Sequence, residues 1–422
     1  MIDKREDKKK TSRKNTKGKT YTCVFCGKTT KDPVDHIPMI VSDDDKHAVC
    51  FNCLSQCIAL AEYFDEEEKT VNSTNFVSKM KVPKPKEIKE FLDNYVVGQD
   101  RAKIALAVAV YNHYKKVKNN IGKGSDVELE KSNILLIGES GSGKTLLAKT
   151  LAKMLDVPFC VCDATTYTEA GYVGEDVENC IQKLLQSADG DVAKAECGIC
   201  VIDEVDKLVK KTPGQSTTRD VSSEGVQQAF LKLLEGSEVN VSPKNGGRKR
   251  PDENFIKVNT KNILFILAGS FVGLEKQKER KVAKSGHLGF DNIQTVPEEK
   301  KSLDYDVEDI IEYGFIPEFA GRVPVVVSLD KLTEDDFKRI LVEPKNSIVA
   351  QFKQLFKMDK VKLDFTDDAL TAIAHKAFER KTGARGLRTI MEKMMMKRMY
   401  EIPTTKSKNL TITSNDVESS IC

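Results

Sequence analysis

The residues in this sequence best suited to chemistry lie in a short glycine-rich segment that ends in Lys144 and Thr145. The segment, GESGSGKT over residues 138–145, fits the phosphate-loop pattern G-x-x-x-x-G-K-[ST]. Its glycines let successive backbone N–H groups face phosphate oxygens, and a helix N-terminus favours anions. We expect Lys144 to reach the β- and γ-phosphates of ATP and the Thr145 hydroxyl to coordinate Mg²⁺. The predicted cofactor-binding residues of this segment are Gly138, Glu139, Ser140, Gly141, Ser142, Gly143, Lys144, Thr145 and Leu146.

Two carboxylates, Asp203 and Glu204, follow the apolar run ICVI downstream of this loop. Many strands end in acidic residues, so the pair alone is a weak signal. Downstream of a phosphate loop, it predicts that Asp203 orients Mg²⁺ through its water shell. Glu204 is then predicted to be the base that orients the attacking water.

Four cysteines near the N-terminus have the spacing of a metal site. Cys23 and Cys26 form one C-x2-C pair, and Cys50 and Cys53 form a second pair after 23 intervening residues. Four thiolates at this spacing predict one tetrahedral Zn²⁺, which would supply folding energy to a segment too short for a large core. His36 and His47 are alternative ligands in the intervening segment. Reduced buried cysteines are the alternative without metal.

The remaining cysteines are predicted to be core thiols, because they lie within or beside apolar runs. Cys57 follows Cys53 by four residues, so we expect it to share a helix face with Cys53 and to pack there. The other core thiols predicted on this ground are Cys160, Cys162, Cys180, Cys197, Cys200 and Cys422.

The elements around these motifs predict an α/β fold. Apolar runs typical of buried strands alternate with helical patterns over residues 86–328, which indicates a parallel sheet. We expect residues 1–20 to be a disordered tail, 21–62 a zinc-binding domain, 63–85 a linker and 329–422 a small helical domain. Residues 273–303 are polar and Lys-rich without a clear period, so we interpret them as a long loop or insertion.

Composition excludes several classes of protein. The chain has 422 residues and a net charge of +3, and its first 20 residues hold nine Lys or Arg against three Asp or Glu. The basic excess therefore lies in the tail and not in the fold, which disfavours nucleic acid as a partner. No apolar run is long enough to span a bilayer, and no signal peptide or transit peptide is recognisable. We expect a cytoplasmic protein without a membrane partner, although an organelle matrix is also open.

Several longer stretches resemble the ClpX family of AAA+ protein unfoldases, which partner the ClpP peptidase. The resemblance covers nearly the whole chain in order, and the four-cysteine module distinguishes it from the related HslU ATPases. The matching stretches are FLDNYVVGQ, the phosphate loop, DATTYTEAGYVGEDVEN, VIDEVDK, TRDVSSEGVQQAFLKLLEG, GGRKRP, GFIPEFAGRVPVVVSL and KTGARGLR.

This resemblance implies a ring of six identical subunits with an active site shared between neighbours. Val96 and Val97 would line the adenine pocket. Arg322 would be an arginine finger that reaches the neighbouring subunit's nucleotide, and Arg385 would be a sensor arginine in the small domain. A permanently charged guanidinium with forked donors suits both roles. No residue after the strand NILFILAG is assigned as a first polar sensor.

The resemblance also implies four contacts with other proteins. Tyr172 and Val173, between two glycines, would line the axial pore and grip a substrate polypeptide. Arg248, Lys249 and Arg250 would form a basic loop at the pore entrance, with Arg250 where the family commonly has His. Leu288, Gly289 and Phe290 would dock into ClpP. Adaptors would bind the zinc module, whose cysteine pairs are a few residues further apart than is usual in the family.

Two alternative functions remain open from the sequence. A nucleic-acid-remodelling ATPase would use the cysteine module and the basic tail on DNA, with Tyr172 stacking on bases. A chaperone that remodels proteins without a peptidase would differ only in the role of the 288–290 segment.

Overall fold

The computed structural model describes most of the chain in two compact units, Met1–Asn72 and Ser73–Cys422. No described helix has both the length and the apolar character needed to cross a membrane. The described residues are 20–30, 38–42, 44, 46–58, 60, 77, 80–119, 129–168, 175–209, 222–242, 255–285, 304–402 and 409–421.

The first unit is a small hairpin with a following helix. Strand β1 (Met39–Val41) pairs antiparallel with β2 (Ala48–Cys50), and residues 51–58 are helical. Cys23 and Cys50 are buried, whereas Cys57 is exposed. The expectation that Cys57 packs in a core is therefore wrong, because the helix in so small a unit has little interior to face.

The second unit is built on a parallel five-stranded sheet with strand order β4-β5-β8-β3-β9. The apolar runs of the sequence form these strands, and residues such as Leu136, Val201 and Ile266 are fully buried. The predicted α/β class with a parallel sheet is confirmed. The strands are β3 (Ile134–Ile137), β4 (Phe159–Asp163), β5 (Ile199–Asp203), β8 (Leu264–Gly269) and β9 (Val325–Ser328).

Helices and one hairpin surround this sheet, and apolar clusters fill both of its faces. Helix α1 begins at Pro85, a residue suited to the first helical position because it has no N–H to satisfy. The hairpin is β6 (Glu238–Val241) with β7 (Ile256–Asn259). The helices are α1 (Pro85–Asp93), α2 (Asp100–Asn119), α3 (Lys144–Leu155), α4 (Asn179–Ser187), α5 (Val192–Ala195), α6 (Ser222–Glu235), α7 (Leu274–Ser285), α8 (Val307–Tyr313) and α9 (Pro317–Gly321).

Helix α7 corrects the interpretation of residues 273–303 as a loop, at least as far as Ser285. Among its residues of described burial, 274–281, only the first, Leu274, is deeply buried. Lys278 and Lys281 instead reach the Asp309 carboxylate on α8, at 2.8 and 3.3 Å. A polar helix held by such ion pairs has no hydrophobic period to detect in the sequence.

The C-terminal part of this unit is mostly helical, as predicted, and has its own apolar cluster. It also contains a parallel strand pair, β10 (Lys362–Phe365) with β11 (Asn409–Ile412), which the sequence analysis did not predict. The helices are α10 (Glu334–Val342), α11 (Ile348–Met358), α12 (Asp367–Glu379), α13 (Arg385–Glu401) and α14 (Ser414–Ile421).

Candidate active site and metal centre

The phosphate loop connects the carboxyl end of β3 to the first turn of α3. Gly143 is the N-cap of α3 with φ of 105°, a backbone conformation that a residue with a side chain adopts only with strain. Ser142 and Lys144 are buried, so the loop is packed rather than free in solvent. The loop therefore presents its backbone at a helix N-terminus, as an anion site requires.

The Lys144 ammonium group lies folded over this loop. Its Nζ donates hydrogen bonds to the carbonyl oxygens of Gly138 and Glu139, at 2.6 and 3.0 Å. Burial lowers the pKa of Lys144, while the nearby negative charge of Asp203 opposes that shift. The partly desolvated cation is positioned to interact strongly with a phosphate, because water screens it little.

Thr145 and Asp203 meet across the end of the sheet. The Thr145 hydroxyl donates to a carboxylate oxygen of Asp203 at 2.9 Å, which joins the first turn of α3 to the last residue of β5. A hydroxyl and a carboxylate at this separation are the oxygen ligands that Mg²⁺ prefers, directly or through water. The donor set thus fits the ion that the phosphate loop implies.

Glu204 is exposed beside this pair and has an unusual backbone. Its φ is 59°, in the left-handed region, where a residue with a side chain is strained by about 1–2 kcal/mol. Its N–H donates to Asp203 at 2.9 Å, which fixes the turn. Such strain concentrates at functional sites, where the fold holds a side chain in a required direction.

The C-terminal helical part contacts the phosphate loop directly through Gly383. The N–H of Ala384 donates to the carbonyl oxygen of Gly141 at 3.2 Å, and Gly383 lies against Gly141 with φ of 62°. Helix α13 begins at the next residue, Arg385, whose positive charge contributes to the lowered pKa of Lys144. Arg385 is therefore near the phosphate loop of its own chain.

The two valines predicted to line an adenine pocket occupy different environments. Val97 lines a pocket of about 220 Å³ between residues 97–101 and residues 330–336, whereas Val96 packs into the core. Gln99 closes one side of this pocket, because its side chain exchanges two hydrogen bonds with the Asp330 backbone, at 2.8 and 2.7 Å. The pocket thus lies between the sheet domain and the start of the helical part.

Arg322 lies at the end of α9, half exposed, and pairs with Glu235. Its Nε and one terminal nitrogen contact the same carboxylate oxygen at 3.0 and 2.8 Å. None of its described contacts is with the phosphate loop of its own chain. Glu235, at the end of α6, was not predicted, since an acidic residue there has no distinctive sequence context.

The sequence analysis also missed the contact between Asp206 and Ser270. The buried Asp206 carboxylate accepts hydrogen bonds from the Ser270 N–H at 3.0 Å and from its hydroxyl at 2.9 Å. Ser270 follows β8, so this contact ties the acidic turn to the neighbouring strand end. The DEVD spacing of residues 203–206 was the available signal, but only the strand order shows which residue lies opposite.

The four N-terminal cysteines form a compact donor set in the first unit. Their ligand atoms all lie within 4.8 Å of one another. The N–H of Cys50 donates to the Cys23 sulfur at 3.3 Å, and this hydrogen bond and one from Cys26 lower the pKa of Cys23 to about 6. Four converging sulfurs, of which the Cys23 sulfur is stabilised as a thiolate by N–H donors, fit a metal ion. His47 is exposed and lies outside this set, and His36 is outside the described residues.

Three predicted contact segments lie outside the described residues: Tyr172 with Val173, Arg248–Arg250 and Leu288–Phe290. The residues that flank the first of them are described. Tyr167 and Glu175 form a parallel bridge, and the Thr168 N–H donates to the Glu175 carbonyl oxygen at 3.1 Å, so the residues on the two sides of the segment are paired with each other.

Comparison with known proteins agrees with this architecture. Residues 129–326 match the AAA domain (Cdc48 subfamily), and residues 332–412 match the C-terminal, D2-small domain of ClpB protein. A parallel sheet, a phosphate loop followed by an acidic strand end, and a small helical domain define an ATPase of the AAA class.

The full-length similarity is more specific. The chain is 47% identical over 399 residues to the ATP-dependent Clp protease ATP-binding subunit ClpX of Treponema denticola, which covers 94% of this chain and 93% of the relative. The chain belongs to the ClpX family. The sequence-based resemblance to that family is confirmed.

Proposed function

We propose that this chain hydrolyses ATP to unfold proteins and deliver them to a ClpP peptidase. The proposal is supported by the similarity to a ClpX subunit over nearly the full length. The observation that carries the ATPase part is the hydrogen bond between the Thr145 hydroxyl and the Asp203 carboxylate, because it joins two groups of the kind that Mg²⁺ prefers.

We assign the reaction to four residues of one chain. Lys144 binds the β- and γ-phosphates, and Thr145 and Asp203 hold Mg²⁺, directly and through water. Glu204 orients the attacking water, and the fixed, strained turn supports this role because it holds the Glu204 backbone against the Asp203 carboxylate. The bound Mg²⁺ supplies charge neutralisation for the transferred phosphoryl group.

Two arginines complete the site in this proposal. Arg385 contacts nucleotide of its own chain, which is supported by its position beside Gly383 and the phosphate loop. Arg322 acts on the nucleotide of the next subunit in a homo-hexameric ring, so its partner in the single chain, Glu235, must release it on assembly. Val97 receives the adenine, with Val96 supporting it from the core.

The contacts with other proteins are assigned to the three segments outside the described residues. Tyr172 and Val173 grip the substrate, Arg248–Arg250 attract it at the pore entrance, and Leu288–Phe290 dock on ClpP. The bridge between Tyr167 and Glu175, the described residues that flank this segment, supports the first assignment because Tyr167 follows β4, the strand that pairs with β5 and its last residue, Asp203.

We assign Zn²⁺ to Cys23, Cys26, Cys50 and Cys53, and adaptor binding to the module that they stabilise. Four mutually close thiols match the closed tetrahedral set of a structural zinc site, which leaves no open position for catalysis. The metal is therefore expected to hold the module together rather than to react.

The test is ATP-dependent unfolding of a stable fluorescent protein that carries an unstructured tail. Wild type, Tyr172→Ala and Tyr172→Phe are compared, with ATP hydrolysis recorded in parallel. We expect wild type and Tyr172→Phe to unfold the substrate, because both keep an aromatic ring, and Tyr172→Ala to hydrolyse ATP without unfolding.

Absence of unfolding by wild type, together with ATP hydrolysis stimulated by DNA and lost at high salt, would refute the proposal and support the nucleic-acid alternative. Addition of ClpP tests the last step. We expect Phe290→Ala to unfold the substrate but to deliver none for degradation, and delivery equal to wild type would contradict the docking assignment.

A further inference from the structure

A second group of cysteines lies in the ATPase domain, in a place that the proposed function does not use. Cys160 and Cys162 on β4 and Cys200 on β5 have their sulfur atoms within 4.8 Å of one another. All three are buried in the apolar cluster on one face of the sheet. We call Cys160, Cys162 and Cys200 together the three-thiol site.

The sheet register explains why these thiols converge. Cys160 is the direct partner of Cys200 in the parallel pairing of β4 with β5. Cys162 lies two residues further along β4, so its side chain is on the same face. Cys180, on α4, packs over them, and the Cys160 thiol donates to its carbonyl oxygen at 3.5 Å. Its own sulfur lies outside the mutually close set.

A buried tyrosine hydroxyl lies beside the three thiols. The Tyr167 hydroxyl is buried without a hydrogen-bond partner of acceptable geometry in the described part of the chain, although it interacts electrostatically with Cys162. The amine of Lys183 lies 5.7 Å from the centre of the Tyr167 ring, so one cation is also nearby.

We propose that Cys160, Cys162 and Cys200 form a binding site for one thiophilic ion of the trivalent, arsenite-like class, with three sulfur ligands. The charge of the bound complex determines the valence. Three thiolates on a monovalent or divalent ion leave a net negative complex in an apolar core, which is costly, whereas a trivalent ion gives a neutral one. Zn²⁺ also requires a fourth ligand, and among the described residues no fourth donor joins the mutually close set.

The binding step balances without an oxidant or reductant. Arsenous acid condenses with three thiols, so that three As–O bonds break and three As–S bonds form. Each thiol proton leaves with a hydroxide as water, and no charge remains on the product. Entry requires only a local opening at β4, which is the edge strand of the sheet.

The test uses the full chain and compares wild type with Cys200→Ala and Cys162→Ala. Cys197→Ala is the matched control, because Cys197 is also buried near the start of β5 but belongs to the cluster on the opposite face. The N-terminal cysteines are present in every variant and contribute equally. Arsenite binding is titrated, and native mass spectrometry counts the protons lost per arsenic bound.

We expect wild type and Cys197→Ala to bind one more equivalent of arsenite than Cys200→Ala or Cys162→Ala at the same concentration. Changes outside the ligand shell of a metal already weaken binding by about 10–100-fold, so loss of one ligand should weaken it at least about tenfold. The extra adduct should have lost three protons. Peptide mapping of wild type should then place the arsenic on fragments with residues 160, 162 and 200, which keeps the test independent of the variants' stability.

Three results would overturn the proposal. They are equal binding by wild type and Cys200→Ala, an equal loss in Cys197→Ala, or an adduct that maps only to the N-terminal cysteines. Parallel titrations with Zn²⁺ and Cu(I) test the valence. A variant-dependent equivalent of either ion without one of arsenite would refute the trivalent assignment.

Discussion

Gly383 offers a sharp test of the contact between the small helical part and the phosphate loop. Its φ of 62° disfavours any side chain, and a Cβ there would lie 2.8 Å from the Gly141 Cα. Gly190 is a matched control, because its φ of 82° imposes similar strain while nothing lies within 4 Å of its ideal Cβ. The pair separates backbone strain from steric overlap with the loop.

The expected magnitudes follow from these two terms. The left-handed conformation costs alanine about 1–2 kcal/mol in both variants. The overlap in Gly383→Ala adds about 1–3 kcal/mol, the usual range for an inserted methyl group in a packed site. Because the other side of the overlap is backbone, the protein can relieve it only by moving residues 382–385 away from the loop.

That movement should appear as weaker nucleotide binding. If ATP must restore the displaced contact, an added 1–3 kcal/mol lowers affinity by about 5–150-fold. Unfolding by denaturant and titration with a fluorescent ATP analogue measure the two effects. Gly383→Ala and Gly190→Ala with equal stability and equal nucleotide affinity would refute the contact as described.

Three further predictions concern single groups. Glu204→Gln should bind ATP but hydrolyse it about 10²–10⁴-fold more slowly, because an amide is no base; wild-type turnover would remove Glu204 from the mechanism. Cys26→Ser should bind zinc at least about tenfold more weakly, as measured by competition with a chelator, whereas the exposed Cys57→Ser should keep wild-type affinity. Burial, together with the positive charges of Lys131 and Lys116, lowers the pKa of His113 to about 3. Below pH 6.5 the unfolded chain therefore binds a proton on this residue that the folded chain does not bind. The free energy of unfolding should then fall as pH drops below 6.5, with a slope that rises toward about 1.4 kcal/mol per pH unit by pH 5, and His113→Gln should show a shallower fall in denaturant titrations; equal slopes would contradict this pH dependence.

The sequence predicted the elements whose patterns are local. The strand NILLI, the phosphate loop and the following helix form a continuous stretch, so the period and the motif define them together. Helix α7 escaped prediction because ion pairs to Asp309, not an apolar face, hold it. The strand pair β10 and β11 joins residues more than forty positions apart, and no local pattern specifies such a pairing.

In the candidate sites, too, residues in local motifs were predicted, whereas contacts between distant elements were not. Thr145 and Asp203 were predicted from two motifs, and the structure brings their side chains to 2.9 Å. Two contacts were not predicted: that of Arg322 with Glu235 and that of Asp206 with Ser270. Each depends on which elements are neighbours in the fold, and a single sequence does not show this. The five cysteines of the ATPase domain that the structure describes were predicted to be buried, and all five are. Their grouping was not predicted.

That grouping is set by the register of β4 and β5. The same two strands lead to the residues that we assign to catalysis and to substrate contact. Strand β5 ends in Asp203, one residue before Glu204, and β4 leads through Tyr167 to the segment assigned to substrate contact. A one-residue slip of β4 would turn Cys160 and Cys162 to the other face and would also shift Asp163 from its pairing with Asp203. One register therefore fixes both the convergence of the three thiols and the position of Asp163, at the end of β4, beside Asp203.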